Sequence, residues 1–271
     1  MTIYLSKDVC AIVVTYNPDD RLLDNIRALC AQDVHVLIVD NYSRDRKALA
    51  DVISILGANN LIQLPENKGI AYALNKGVEF CFRNGYDVVL TMDQDTILDG
   101  SCVKELLKVI NSGAHSAGIN WDNKSLKDER VDFLITSGNM VLLDCLNIVG
   151  GFDEKLFIDC VDFDLSLRLK EKGFKLVKVA LARADHRIGQ PKILKKFGIT
   201  FTYSEHSEER HYYIARNHYY ILKKYRKHVL FCMKKRLNFF LDIWKVLLFD
   251  RNWRPKILAA KRGKDDWLNM R

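Results

Sequence analysis

No Cys-x-x-Cys pair occurs in the 271 residues: the seven cysteines, at positions 10, 30, 81, 102, 145, 160 and 232, are scattered and odd in number. That excludes a disulfide framework and a structural zinc site, and it fits a reducing compartment. No run approaches the roughly 18 apolar residues of a membrane-spanning helix. The N-terminus lacks the basic-then-apolar pattern of a secretory signal, so cytoplasmic residence is the expectation. Gly-x-Gly-x-x-Gly and Gly-x₄-Gly-Lys-[Ser/Thr] are both missing, which argues against a dinucleotide-binding dehydrogenase and a P-loop nucleotidase. Internal repeats and low-complexity linkers are absent as well.

What is present is a sharp asymmetry of charge. Residues 1–182 carry 20 Lys/Arg against 26 Asp/Glu, a net −6, whereas residues 183–271 carry 22 against 8, a net +14. An acidic body with a basic tail suggests that the tail meets something anionic: phosphate, nucleic acid or a lipid surface. No nucleic-acid recognition motif accompanies the charge, so no nucleic acid is expected as partner.

Short β-rich runs alternate with helical patterns along the first part. Val9–Thr15, Val34–Asp40, Leu61–Leu64 and Asp87–Met92 read as strands. Helices are expected around Leu22–Leu29, over Asp45–Leu56 and from Gly69 to about Arg83. This alternation predicts a parallel sheet with helices on both faces. After a helix near Asp99–Asn111 come three strands, Ser116–Trp121, Val131–Thr136 and Asn139–Leu143, then a helix over Val161–Lys172 and a strand over Phe174–Val179.

Asp93-Gln94-Asp95 follows the fourth strand directly. In an open α/β sheet, ligands bind at that end of the strands. Two hard oxygen donors one residue apart suit Mg²⁺ or Mn²⁺, which usually share their shell with substrate phosphates. An Asp-x-Asp also arises by chance, so its placement carries the argument. Asp40, closing the second strand, admits two readings: acceptor for a base or ribose, or opener of a turn through its side chain. Asp159, Asp162 and Asp164 crowd the start of a helix, where capping accounts for one or two of them; three ask for more.

Together these segments resemble the family-2 glycosyltransferases of the GT-A fold. The resemblance is carried by Ile12-Val13-Val14-Thr15-Tyr16-Asn17, Val39-Asp40-Asn41, Asn67-Lys68-Gly69 with Ala73-Leu74-Asn75-Lys76-Gly77, and Asp93-Gln94-Asp95. It continues through Ser137-Gly138-Asn139, Gly150-Gly151-Phe152-Asp153 and Asp162-Phe163-Asp164 to Arg168, and covers about residues 9–220. Within the family the chain is similar to bacterial rhamnosyltransferases in Leu90-Thr91-Met92-Asp93-Gln94-Asp95-Thr96, Phe157-Ile158-Asp159, His186-Arg187-Ile188-Gly189 and Arg210-His211-Tyr212-Tyr213 through Asn217.

The resemblance implies a Rossmann-like, mostly parallel sheet flanked by helices, with a basic amphipathic helical extension at the C-terminus. The catalytic domain is expected over 1–185, its nucleotide half about 1–98 and its acceptor half about 99–185; residues 186–271 would complete the site. Thr15, Tyr16, Asn17 and Asp40 would line the nucleotide pocket, with Lys68 and Gly69 beside it. Asp93 would approach the ribose or metal, and Asp95 would be the main ligand of a divalent cation bridging the diphosphate. Asp162 would be the general base, although Val161 stands where the family commonly has Glu, which leaves Asp159 as the other candidate. Gly138, Asn139 and Asp159 are assigned to the acceptor side.

His186 would ligate the metal or meet a phosphate oxygen, unless it is a structural hydrogen-bonding residue. Arg210 and Arg216 would bind the diphosphate, with a solvated basic face as the other reading for Arg216.

In the tail, Leu237–Phe249 has polar residues only at 238, 242 and 245, on one helical stripe. With its basic flanks the segment fits an interfacial helix on anionic lipid; packing on the protein or a homodimer partner is the alternative. The expected activity is inverting, metal-dependent transfer of L-rhamnose from dTDP-L-rhamnose to a lipid-linked saccharide, at the inner face of the cytoplasmic membrane, in O-antigen or capsule synthesis. A UDP-hexose or UDP-galactofuranose donor is the nearest alternative. A sugar nucleotidyltransferase and a non-catalytic glycan-binding module are alternatives of other classes, and a processive synthase is disfavoured because Gln-x-x-Arg-Trp is missing.

Overall fold

The computed structural model describes residues 2–121, 126–186, 192–196, 199–203, 206–250 and 252–270. They form two compact units: residues 1–154 with 161–186, and residues 155–160 with 187–271.

In the first unit the β-rich runs become strands because both faces of the sheet are covered, so near-continuous apolar sequence is satisfied only there. Strands β1 (Val9–Thr15), β2 (His35–Asp40) and β3 (Leu61–Gln63) run parallel, and β4 (Val88–Asp93) pairs parallel with the other edge of β1. Every residue of β1 is buried. Between these strands lie α1 (Arg21–Cys30), α2 (Lys47–Leu56) and α3 (Ile70–Arg83). Leu22, Ile26 and Leu29 put one face of α1 into the core at steps of four and three.

The sheet continues through β6 (Ser116–Ile119), β7 (Glu129–Arg130), β8 (Asn139–Leu142) and β9 (Leu176–Val179) in the order β3-β2-β1-β4-β8-β6-β9-β7. Only β8 and β7 run against the rest. Helices α4 (Cys102–Asn111), α5 (Leu143–Val149) and α6 (Val161–Glu171) complete this half. A small antiparallel pair, β5 (Thr96–Leu98) with β10 (Ala184–His186), stands apart from the main sheet.

Two expectations need correction. Val131–Thr136 is not a strand; after β7 one more backbone bond forms, from the Val131 N–H to the Leu176 carbonyl at 3.0 Å, and the following chain lies over the sheet. There the Leu134 N–H donates to Ser166 Oγ at 3.2 Å, and its side chain occupies the space above Gly118, where a Cβ would stand 2.6 Å from Leu134 Cδ2. The pair β5–β10 and the helix α5 were not anticipated. Nor is the tail wholly helical: β11 (Lys192–Lys196) and β12 (Ile199–Tyr203) form an antiparallel hairpin before its helices.

The second unit is built on α7 (Glu208–Lys224), α8 (Val229–Phe249) and α9 (Trp253–Asp266). Ser207 caps α7 by accepting from the Arg210 N–H. Helix α9 lies directly on the α7 backbone at Gly263, where a Cβ would stand 2.1 Å from the Tyr212 carbonyl oxygen. Asp250 and Lys256 make a buried ion pair at 2.6 Å between the last two helices. No helix among the described residues is long and apolar enough to cross a membrane.

Candidate active site

The parallel register brings three strand ends level: Thr15 stands opposite Asp40, and Val14 opposite Asp93. Asp93 is the last residue of β4, and Gln94-Asp95 form the turn into β5. Each member of this acidic turn is tied down. The Asp93 N–H donates to Ser137 Oγ at 3.0 Å, and Ser137 in turn donates to Thr96 Oγ1 at 2.9 Å. The Asp93 carbonyl accepts from Asn25 Nδ2 at 2.7 Å, and the Asp95 carbonyl from Arg21 Nε at 2.8 Å. Arg21 also holds Asp185 of β10 at 2.8 Å. With the backbone held from α1, β8's approach and β10, the two half-buried carboxylates stand at the strand end on a rigid support.

Gln94 serves this support too. Its amide accepts from the Tyr16 N–H at 2.8 Å and donates to the Tyr16 carbonyl at 3.4 Å. Tyr16 is 46% exposed. Asn17 follows with φ of 46°; its N–H donates to Ser43 Oγ and its side chain accepts from the Arg44 N–H, both at 2.8 Å. The loops after β1 and β2 are therefore interlocked.

Asp40 lies beneath them, 1% exposed. It accepts from the Thr15 hydroxyl at 3.0 Å, from the Ser43 N–H at 3.1 Å and from the Ser43 hydroxyl. This is the turn-opening role, with the carboxylate turned to the protein. Asn41 extends the network by donating to Asn67 Oδ1 at 2.8 Å and accepting from the Lys68 N–H at 3.1 Å. Lys68 is exposed, its ammonium 5.0 Å from the Tyr72 ring centre, and Gly69 with φ of 87° begins α3.

Gly138 lies in the turn before β8, and Asn139 is the first residue of that strand. Gly138 has φ of 71° and packs against Ile119, and Asn139 is buried and accepts from Ser116 Oγ at 2.7 Å. Asp164 is fully buried and paired with Arg168 at 2.7 Å, and Arg168 donates to the carbonyls of Val149 and Gly151. Asp162, in the same first turn of α6, is half-buried, its carboxylate accepting from the Phe163 N–H at 2.8 Å.

His186 lies opposite Thr96 in the β5–β10 pair, so its backbone is carried beside the residue that follows Asp95. Its side chain falls outside the described residues. Asp159, Arg210 and Arg216 belong to the second unit. Arg210 holds Asp159 at 2.7 Å; burial raises the Asp159 pKa, and Arg210 opposes that rise. Asp159 and Cys160 both have left-handed backbones, at φ of 70° and 63°. Arg216 donates to the Lys155 carbonyl and lies 4.7 Å from the Tyr213 ring centre.

Sequence reasoning missed Arg21, Asn25 and Tyr42, and it gave no individual role to Ser137 and Thr96, which stand in the strings that carry the resemblance. Arg21 and Asn25 are four apart on α1, and a polar pair beside Leu22 and Ile26 was the available signal. Tyr42 is 46% exposed with φ of 71°, on the loop interlocked with that of Tyr16; an aromatic directly after Asp40-Asn41 was its only mark.

The sheet, its switch from parallel to antiparallel order at β8 and the acidic turn at β4 define a GT-A glycosyltransferase. Comparison with known proteins agrees. The profile described as Glycosyl transferase family 2 matches residues 10–140. The dTDP-rhamnosyl transferase RfbF of Shigella flexneri is 30% identical over 81% of each chain. The polyprenol monophosphomannose synthase of Mycolicibacterium smegmatis is 25% identical over 71% of this chain and 83% of its own. Among solved structures, S. aureus TarS 1-349 in complex with UDP-GlcNAc superposes with a TM-score of 0.63 at 16% identity, covering 97% of this chain and 81% of that one. This chain belongs to glycosyltransferase family 2 and is a nucleotide-sugar-dependent transferase. Membership in the family removes the nucleotidyltransferase and glycan-binding alternatives.

Proposed function

We propose that this protein transfers L-rhamnose from dTDP-L-rhamnose to a saccharide acceptor, with inversion at the anomeric carbon. The observation that carries the donor is the 30% identity to the Shigella dTDP-rhamnosyl transferase across 81% of both chains. The anchored Asp93-Gln94-Asp95 turn supports the chemistry.

The donor set at that turn fits Mg²⁺ or Mn²⁺: two hard oxygen ligands, with further positions left to diphosphate oxygens. Asp95 and Asp93 would hold the cation, which when bound neutralises the departing nucleoside diphosphate as a Lewis acid. Tyr16, Asn17 and Lys68 receive the nucleotide, while Thr15 and Asp40 keep their loops in place from below. Gly69, directly before α3, lies beside Lys68 at the nucleotide pocket. Asp162 takes the proton of the acceptor hydroxyl as the new glycosidic bond forms and the bond to the diphosphate breaks. Arg210 and Arg216 serve the diphosphate and Asp159 the acceptor side, whereas Gly138 and Asn139 act from within the fold, fixing the start of β8. His186 adds a ligand to the metal or a bond to phosphate.

The acceptor in this reading is a lipid-linked saccharide used in O-antigen or capsule synthesis, met at the inner face of the cytoplasmic membrane. The exposed apolar face of α8 and the +14 charge of residues 183–271 support attachment to an anionic surface. A homodimer through the same helix is the competing use of that face.

A donor screen tests the reading: nucleoside diphosphate release is followed for dTDP-rhamnose, UDP-hexoses and UDP-galactofuranose, with Mg²⁺, Mn²⁺ or chelator. Turnover restricted to dTDP-rhamnose and abolished by chelator is expected. Preference for a UDP-sugar sinks the donor assignment, and full activity in chelator sinks the metal.

A further inference from the structure

The second unit holds a cavity of about 620 Å³ between α7, α8 and Trp267, within the range of about 300–1,000 Å³ usual for small-molecule sites. Its walls are rings. His218 stacks on Phe239 with centroids 4.2 Å apart, and Tyr219 on Trp267 at 6.2 Å. Two cations border it, Lys223 and Arg236. The Lys223 ammonium lies 5.2 Å from the Trp267 ring centre, and neither cation forms an ion pair with a described residue. His218 adds no charge: burial, then Lys235 and Arg236, push its pKa down to about 4.

Phe240 belongs both to this cavity and to the outer face of α8. On that face Leu230, Met233, Leu237, Phe240, Trp244 and Leu247 follow one another at steps of three and four, each between 44% and 77% exposed. The cavity therefore opens beside a continuous apolar strip. A free inorganic anion would meet the cations and leave the rings facing water. An uncharged chain would cover the rings and leave two cations unmet. An anionic amphiphile satisfies both.

We propose that this cavity binds one anionic phospholipid from the membrane surface, its phosphate between Lys223 and Arg236 and the start of its chains on Tyr219, Phe239 and Trp267. The proposal rests on the reading of α8 as the membrane-facing helix and gives that attachment a specific headgroup site.

The test uses the full chain and a short-chain brominated phosphatidic acid below its micelle concentration, read by quenching of Trp267. Saturable quenching is expected, with the part due to Trp267 lost in Trp267→Phe while any part due to Trp244 remains, and with affinity reduced about ten-fold or more in the Lys223→Glu/Arg236→Glu variant. Brominated phosphatidylcholine of equal chain length and inorganic phosphate should compete poorly. Undiminished binding by the double variant, with unchanged circular dichroism, overturns the proposal. Displacement by inorganic phosphate alone overturns it as well, as does a dimer in light scattering that shields Trp267 from the lipid. Vesicle sedimentation in parallel separates the two readings. Pelleting without a Trp267 response removes the cavity alone, whereas a Trp267 response in a chain that does not pellet supports the cavity and removes the membrane reading.

Discussion

The side-chain amide of Gln94 pairs with both backbone groups of Tyr16, accepting from its N–H at 2.8 Å and donating to its carbonyl at 3.4 Å. The middle residue of the acidic turn thus acts as a strand-like partner for the end of β1. It binds the loop that presents Tyr16 to the turn that presents Asp93 and Asp95.

Gln94→Ala removes both bonds and leaves two backbone groups to water. Loss of two modest hydrogen bonds, about 1 kcal/mol each, is expected to lower the melting temperature by a few degrees and, by freeing the Tyr16 loop, to raise the donor KM. Steady-state kinetics beside thermal unfolding check this. An unaltered KM would show that the Tyr16 loop does not report on donor binding.

Asp95→Ala and Asp162→Asn should separate two roles. The first is expected to abolish metal-dependent donor binding by calorimetry. The second should keep donor affinity and lower kcat by about 10²–10⁴-fold. Equal loss of folding in both variants would return the two residues to structural roles.

Acid should weaken the second unit first. Burial, with nearby cations, lowers the pKa of His211 and of His218 to about 4, against an ordinary 6.5. Between those values the unfolded chain binds protons that the folded chain refuses, so stability falls as pH drops from about 6.5 toward 4 and is level above 7. Melting temperature followed across that range should show the slope. His218→Phe, which preserves a ring against Phe239, should reduce it.

Gly263→Ala is expected to destabilise the protein by about 1–3 kcal/mol, the cost of over-packing, because the added Cβ meets the Tyr212 carbonyl. Gly100→Ala, with nothing within 4 Å of its Cβ, is the matched control. Thermal unfolding of the two variants should separate clearly.

Much of the fold was legible in order along the chain. β1, β2 and β4 are near-continuous apolar runs ended by Thr15, Asp40 and Asp93, and that pattern suffices for buried parallel strands. Val131–Thr136 misled because its apolar residues suit a strand, yet Leu134 is satisfied by lying over Gly118. The pair β5–β10 was illegible because three-residue strands carry no periodicity, and their pairing joins positions some 90 residues apart.

The sequence by itself determined the residue types and their order: two carboxylates leaving a buried strand, a third at the head of α6, a family likeness strong enough to name the chemistry, and a basic tail. Tertiary structure alone decided which polar groups stand open at the strand ends and which face the protein. Asp40, Asp164 and Asn139 carry the same chemical groups as the exposed candidates, yet each is consumed by internal partners. Arg21 and Asn25, ordinary on a helix, became the anchors of the acidic turn. The reason is that a buried polar group must find its hydrogen bonds inside the fold, and the partner's identity depends on strand register and helix placement that local sequence does not encode.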